Sequence, residues 1–312
     1  MIDLASRFLR PATLRVAHHP WFRSLATRTA PGRAVASRFV AGETLAEAMA
    51  AARDLDRARI TAMLDHLGEN VTTSDQVLRA RQAYLAAVAA IAEADTLDCA
   101  ISVKLTQLGL DEDLEVCSAN LAPIVDAAAR AGTRVEIDME SNVYVDRTLE
   151  VAAATYARYP RVGVALQAYL RRSAEDIAGL PAGMRVRLVK GSYLESSEVA
   201  FEDKRDVDRS FARLFTTLLA RGHPIDAATH DPALIEGVRR RVDQTRDGWS
   251  RVEFQMLYGV RRDLQTSLAR EGYPVRVYVP YGTEWYPYLT RRLAERPANL
   301  WFFASNLLRR AR

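Results

Sequence analysis

The stretch Arg185-Val186-Arg187-Leu188-Val189-Lys190-Gly191 is a short β-rich run that stops at an ionisable residue and a glycine. Seven further runs of the same kind follow one another along the chain: Ile60–Leu64, Cys99–Val103, Arg134–Ile137, Val162–Leu166, Ile225–Ala228, Val252–Phe254 and Val275–Val277. Most are followed by an amphipathic helical pattern such as Leu121–Ala131 or Ser210–Ala220. Strands interleaved with helices argue for a parallel sheet. Eight such units in about 250 residues fit a closed (β/α)8 barrel better than an open doubly wound sheet. The fold class expected is therefore α/β, a TIM-type barrel with an N-terminal helical extension.

The residues that follow these runs are polar or ionisable: Lys104, Asp138, Gln167, Lys190, Thr229 with His230, Gln255 and Tyr278. In a barrel the C-terminal strand ends converge on one mouth, where catalytic groups sit. A strand also ends at a polar residue simply because it reaches solvent, so one such position says little. Seven in register argue for a mouth lined with chemistry.

The composition is ordinary for a globular chain of 312 residues, 49% hydrophobic and 26% charged, which excludes a disordered or fibrous protein. No apolar run approaches the ~18 residues that span a bilayer. The first 40 residues lack the apolar core of a secretory signal. Cys99 and Cys117 form no CxxC pair and suggest a reducing cytoplasm. The net charge of +4 is concentrated, because residues 1–40 carry seven arginines and one aspartate. The remainder is near neutrality, so a basic core that binds nucleic acid is excluded. Of 43 basic residues only Lys104, Lys190 and Lys204 are lysine. A compact ammonium is chemically unlike a guanidinium, and two of the three lysines fall at the expected mouth.

The opening segment reads as helices around Leu4–Leu9 and Leu14–Phe22, followed by a Thr44-x-x-Glu47 capping box that starts an alanine-rich helix. We expect an N-terminal helical segment over residues 1–57 and a barrel over 58–312. The basic residues 1–40 are open to two readings, a packed helical cap or a contact with an anionic membrane or partner. No glycine pair has the GxG spacing, so a Rossmann fingerprint and a P-loop are both absent. The five histidines show no HExxH or Cys/His arrangement for zinc, and no G-x-S-x-G elbow occurs.

Near the C-terminus, Pro287 suits the first turn of a helix. Tyr288, Arg291, Arg292 and Glu295 follow at i, i+3, i+4 and i+7, on one face of that helix. Two guanidiniums aimed into an apolar mouth would clamp a small carboxylate. The spacing alone fits equally a solvated face with an Arg291–Glu295 pair, worth ~0.5 kcal/mol or less.

The segments Ser102-Val-Lys-Leu-Thr106, Ile137-Asp-Met-Glu-Ser141, Ala165-Leu-Gln-Ala-Tyr169 and Arg187-Leu-Val-Lys-Gly-Ser-Tyr193 resemble successive barrel motifs of the proline dehydrogenase family. So do Ala228-Thr-His-Asp231, Glu253-Phe-Gln-Met-Leu257, Val277-Tyr-Val-Pro280 and the stretch from Tyr288 to Asn299. The resemblance runs in order over roughly residues 58–303 and is to the monofunctional branch. It implies non-covalent FAD at the barrel mouth, oxidation of L-proline to Δ1-pyrroline-5-carboxylate, and a quinone acceptor at the membrane. It also implies functional coupling to a pyrroline-5-carboxylate dehydrogenase, in a cytoplasmic enzyme peripheral to the inner face of the cell membrane. By motif, Arg291 and Arg292 would pair with the proline carboxylate, with Glu295 in the same network. Lys104, Asp138, Leu257, Tyr278 and Tyr288 would line the substrate pocket. Arg187 would lie beside flavin N5, with Gln167, Val189, Lys190, Gly191, Thr229, His230 and Gln255 around the rest of FAD. Lys104, Asp138 and Arg187 would be the catalytic set. Ser192 departs from the small apolar residue common at its position, and the stretch from Tyr278 to Tyr288 is short beside the bifunctional enzymes. Two rivals are another flavin barrel, which would not need the Arg291/Arg292 clamp, and a non-enzymatic basic scaffold that binds RNA or membrane through residues 1–40.

Overall fold

In the computed structural model, eight strands pair in parallel and in sequence order, and the last closes on the first. They are β1 (Thr61–His66), β2 (Cys99–Val103), β3 (Val135–Ile137), β4 (Val162–Gln167), β5 (Arg185–Val189), β6 (Ile225–Ala228), β7 (Val252–Leu257) and β8 (Val275–Tyr281). The structure describes residues 36–295 apart from 69–70, 95 and 246–247, with side chains as far as Thr290. The helices expected around Leu4–Leu9 and Leu14–Phe22 lie outside the described residues.

The helices are α1 (Leu45–Arg57), α2 (Ser74–Ala92), α3 (Leu114–Ala131), α4 (Val145–Arg158), α5 (Ser173–Gly179), α6 (Lys204–Ala220), α7 (Pro232–Val242), α8 (Arg262–Arg270) and α9 (Trp285–Glu295). The period of two along each strand sorts the residues. One set, including Ile101, Val103, Val135, Ile137, Val164, Val186, Leu188, Phe254 and Val277, is buried in the shell between strands and helices. The alternate set faces the barrel interior and carries most of the charge.

The expected runs and the strands differ in one respect. β1, β4, β7 and β8 continue beyond their apolar runs, so Asp65, Gln167, Gln255 and Tyr278 are strand residues rather than residues after a strand. Inside a barrel, polar side chains have one another as partners, and the ladder need not stop where hydrophobicity does.

Two helices decide where the mouth lies. The Thr44 capping box of α1 is complete in both halves. Its Ala48, Met49 and Ala52 are buried in the same core as Leu64 and Val277, and α1 packs on β1 and β8. It therefore covers the seam where the barrel closes, although the sequence groups it with the segment before residue 58. The helix that follows β8 is thereby free for another position. Trp285, Tyr286, Tyr288 and Leu289 of α9 form a second buried cluster with Ala36, Phe39, Val40 and Leu67. Leu67 follows β1, and its N–H donates to the Tyr281 carbonyl at 2.8 Å, at the C-terminal ends of the strands. So α9 begins at the mouth.

Candidate active site

The barrel interior is stacked with ion pairs. Toward the N-terminal ends of the strands, Arg134 meets Glu253 at 2.7 Å, Arg185 meets Asp226 at 2.6 Å, and Arg276 meets Glu253 at 2.9 Å and Asp98 at 3.0 Å. One layer up, the Arg187 guanidinium is held on three sides. Its Nη1 donates to Asp138 Oδ1 at 2.5 Å and to Ser102 Oγ at 3.1 Å, its Nε donates to Gln255 Oε1 at 2.8 Å, and its Nη2 rests on Met63 Sδ. Above it, Lys104 Nζ lies 2.5 Å from Asp65 Oδ1, 3.2 Å from Asp138 Oδ2 and 3.2 Å from the Tyr278 hydroxyl. Tyr278 in turn donates to Asp138 Oδ2 at 2.6 Å.

Asp138 is thus the hub, because each of its oxygens serves a cation and a hydroxyl. Burial would raise its carboxyl pKa, but Lys104 and then Arg187 outweigh it and hold it below the usual carboxylate range. Burial would likewise push the Lys104 ammonium down, yet Asp65, Tyr278 and Asp138 together keep it well above lysine's ordinary value. Burial is the largest influence on Tyr278 and drives its phenol up, with Asp138 adding to it. Lys104 is therefore a cation, Asp138 an anion and Tyr278 a neutral donor across the working range of pH.

Of the residues singled out in the sequence, Lys104, Asp138, Arg187, Gln255 and Tyr278 form this single network. Gln167 is at the end of β4, its amide donating to the Glu140 carbonyl at 2.8 Å. Val189 ends β5, and Lys190 and Gly191 follow it. Lys190 is bound to Asp208 at 2.5 Å and Asp231 at 3.1 Å, a cluster that Lys204 joins at 2.9 Å from Asp231. Thr229 Oγ accepts the Asp231 N–H at 3.1 Å, and His230 Nε2 accepts the Leu257 N–H at 2.9 Å. Tyr288 is buried in the α9 cluster. The α9 backbone carries Arg291, Arg292 and Glu295, whose side chains lie outside the described residues.

Sequence reasoning missed Asp65, the closest partner of Lys104. The signal was present: Asp65 follows the first apolar run as Lys104 follows the second. Ser102 was also missed. As an inward strand residue within an apolar run, it carries no mark of its own. A cavity of about 670 Å³ opens at the opposite, N-terminal end of the barrel, lined by Thr133, Arg134, Arg161 and Arg185 among others. It is remote from the point where Lys104 and Arg187 converge, and strand-end chemistry in this fold belongs at the other face.

A family model described as proline dehydrogenase matches residues 48–305. Proline dehydrogenase 1 of Bacillus subtilis (strain 168) is 40% identical over 276 residues, which cover 88% of this chain and 91% of the relative. Proline dehydrogenase of Deinococcus radiodurans is 38% identical over 315 residues, covering 99% and 100%. Among solved structures, proline utilization A of Bradyrhizobium japonicum, mutant D778Y, superposes with a TM-score of 0.71 at 26% identity over 88% of this chain. Proline utilization A of Bdellovibrio bacteriovorus inactivated by N-propargylglycine gives a TM-score of 0.77 over 84% of the chain, at 24% identity a likeness of fold. The chain spans 32% of the length of each of these two larger proteins. The family model and both Bacillus and Deinococcus relatives run along most of the sequence, and the chain belongs to the proline dehydrogenase family.

Proposed function

We propose that this chain oxidises L-proline to Δ1-pyrroline-5-carboxylate with FAD as cofactor, and that the electrons pass to a quinone. The observation that carries the reading is the Lys104–Asp138–Arg187–Tyr278 network at the C-terminal mouth. The donor set suits a flavin nucleotide. Arg187 and Lys104 lie in the upper layers of the paired interior, and Lys190 and His230 follow neighbouring strands. At Gly191, φ is 118° and an added Cβ would stand 2.2 Å from the Tyr169 ring, so only glycine fits and the backbone there is bare for close approach. When bound, FAD would supply the electron sink for the oxidation of proline.

The remaining work falls to the chain. Arg187 would sit beside N5 and stabilise negative charge as it builds, held in place by Asp138, Ser102 and Gln255. The Lys104 cation disfavours the protonated substrate amine, so that proline reacts with its nitrogen lone pair available. Arg291 and Arg292 would clamp the carboxylate, with Glu295 orienting them and Tyr288 beside them. Leu257 and Tyr278 would close the pocket around the proline ring. Gln167, Val189, Lys190, Gly191, Thr229, His230 and Gln255 would surround the cofactor. The quinone places the enzyme against the inner face of the membrane, and the product suits a pyrroline-5-carboxylate dehydrogenase as the next catalyst. Among the described residues no helix is long and apolar enough to cross a membrane.

The test is spectroscopic. Purified protein should carry flavin absorbance that L-proline bleaches without oxygen and a quinone analogue restores. A colourless protein that takes up no added FAD, or a flavin that proline leaves oxidised, would overturn the reading.

A further inference from the structure

Glu136 on β3 is wholly buried, and neither carboxylate oxygen has a hydrogen-bond partner among the described residues. An ionised carboxylate in that state is costly, because it has lost water and gained nothing in return. The charged groups around it are Arg187 and Arg185 from β5, Asp226 from β6, and Arg134 immediately before its own strand. Each of these cations is held by a different carboxylate: Arg187 by Asp138, Arg185 by Asp226 and Arg134 by Glu253. Glu136 forms no ion pair with any of them among the described residues. Its register partner on β2, Ser102, is uncharged, and Ser102 is in turn the partner of Asp65 on β1, which is paired with Lys104.

The fold nonetheless makes room for this side chain. Gly163 on β4 is its register partner, and an added Cβ there would stand 2.7 Å from Glu136 Oε2. Burial, the largest influence, pushes the carboxyl up to about 7, against the pull of Arg187. Near neutral pH, a small change in local charge therefore moves its proton. Two of the guanidiniums around it, Arg134 and Arg185, line the N-terminal cavity on the side away from the mouth.

We propose that Glu136 is a positioning residue acting through Arg187, binding a proton when negative charge builds at the mouth and releasing it when that charge leaves. The proposal rests on the reading of Arg187 as the neighbour of flavin N5. Ionised, Glu136 opposes part of the Arg187 charge; protonated, it leaves that charge whole for the reduced cofactor. The balance is simple. Two electrons and one proton leave proline as hydride, and the additional proton on Glu136 comes from solvent. It returns to solvent when the electrons pass to the quinone.

The experiment is a redox titration of the FAD-loaded enzyme against pH, with E136Q beside wild type. One extra proton per two electrons steepens the fall of the midpoint potential by about 30 mV per pH unit. Wild type should show that extra slope near neutrality and E136Q should lack it. Equal slopes in two proteins that both bind FAD and are reduced by proline overturn the role of Glu136 alone. Failure to bind FAD or to react with proline overturns the functional reading, and this proposal with it. If E136Q does not fold, infrared difference spectra of wild type decide. A carboxyl signal that rises on reduction by proline and shifts in E136D supports the proposal, and its absence overturns it.

Discussion

Tyr278 does two things with two parts of one side chain. Its hydroxyl donates to Asp138, while its ring lies under the Arg187 guanidinium at 5.2 Å and the Lys104 ammonium at 5.9 Å. Cations over a ring hold it in place, and in the proposed site the ring would define the space next to the substrate. A proline carrying a 4-hydroxyl would clash there or lose water without gaining a partner, at ~1–3 kcal/mol. We expect wild type to prefer L-proline over trans-4-hydroxy-L-proline by at least ~10-fold in kcat/KM. Tyr278→Ser should narrow the gap, chiefly by weakening proline, whereas Tyr278→Phe keeps the ring and should keep the preference. Side-by-side kinetics on both substrates check this, and equal wild-type activity on the two would remove the role. The identity of Tyr278 was legible in the sequence as a polar residue near a strand end. Its bond to Asp138 was not, because those residues are 140 positions apart.

α9 shows how far a spacing argument reaches. The pattern from Pro287 to Glu295 anticipates a helix, and the structure has one over Trp285–Glu295. Where that helix sits depends on α1, which covers the β8–β1 seam that a helix after β8 would otherwise cover. Its buried residues meet Leu67 and Ala36, Phe39 and Val40 beside the mouth, the position that the proposed clamp requires. Arg292→Met should raise KM for proline steeply while FAD stays bound. Loss of a charge-assisted pair in a closed site costs ~2–4 kcal/mol, or ~30- to 1000-fold in kcat/KM. Unchanged kcat/KM with full flavin content would show that the arginines only line a solvated face.

Over the whole molecule, a barrel filled with ion pairs makes stability depend on pH in two opposite directions. Asp138 and Glu253 have folded pKa values held below their unfolded ones: burial, the largest single influence, raises both, but Lys104 with Arg187 and Arg134 with Arg276, together with hydrogen bonds, outweigh it. Their contribution is present above about pH 4–5 and is lost as pH falls through the folded values. Glu136 has the reverse sign, with a folded value of about 7 above its unfolded one. It costs nothing below about pH 4 and costs progressively more up to about pH 7, reaching roughly 2–4 kcal/mol. E136Q should therefore raise Tm relative to wild type by several °C at about pH 8.5, and by much less at about pH 5. Calorimetry at the two pH values checks it. A gain of the same size at both would mean that packing, not ionisation, limits Glu136.

The eight runs, their order and their parallel pairing were readable from residue pattern, because apolar periodicity and helix caps are local and the barrel is their simplest closure. Five of the eight strands begin or end within a residue of the expected bounds at both ends: β2, β3, β4, β5 and β6. Lys104 and Asp138 were readable as chemistry at strand ends, whereas Arg187, in the middle of its run, was marked only by the family resemblance. The partners of these residues depended on closure of the ring. Asp65 reaches Lys104 across 39 residues and Gln255 reaches Arg187 across 68. Glu136 carries no mark of its own within the run Arg134–Ile137, and its isolation follows from every neighbouring guanidinium being taken by another carboxylate. Such pairing is a property of the closed interior, where register sets which side chains share a layer, and no local pattern encodes it.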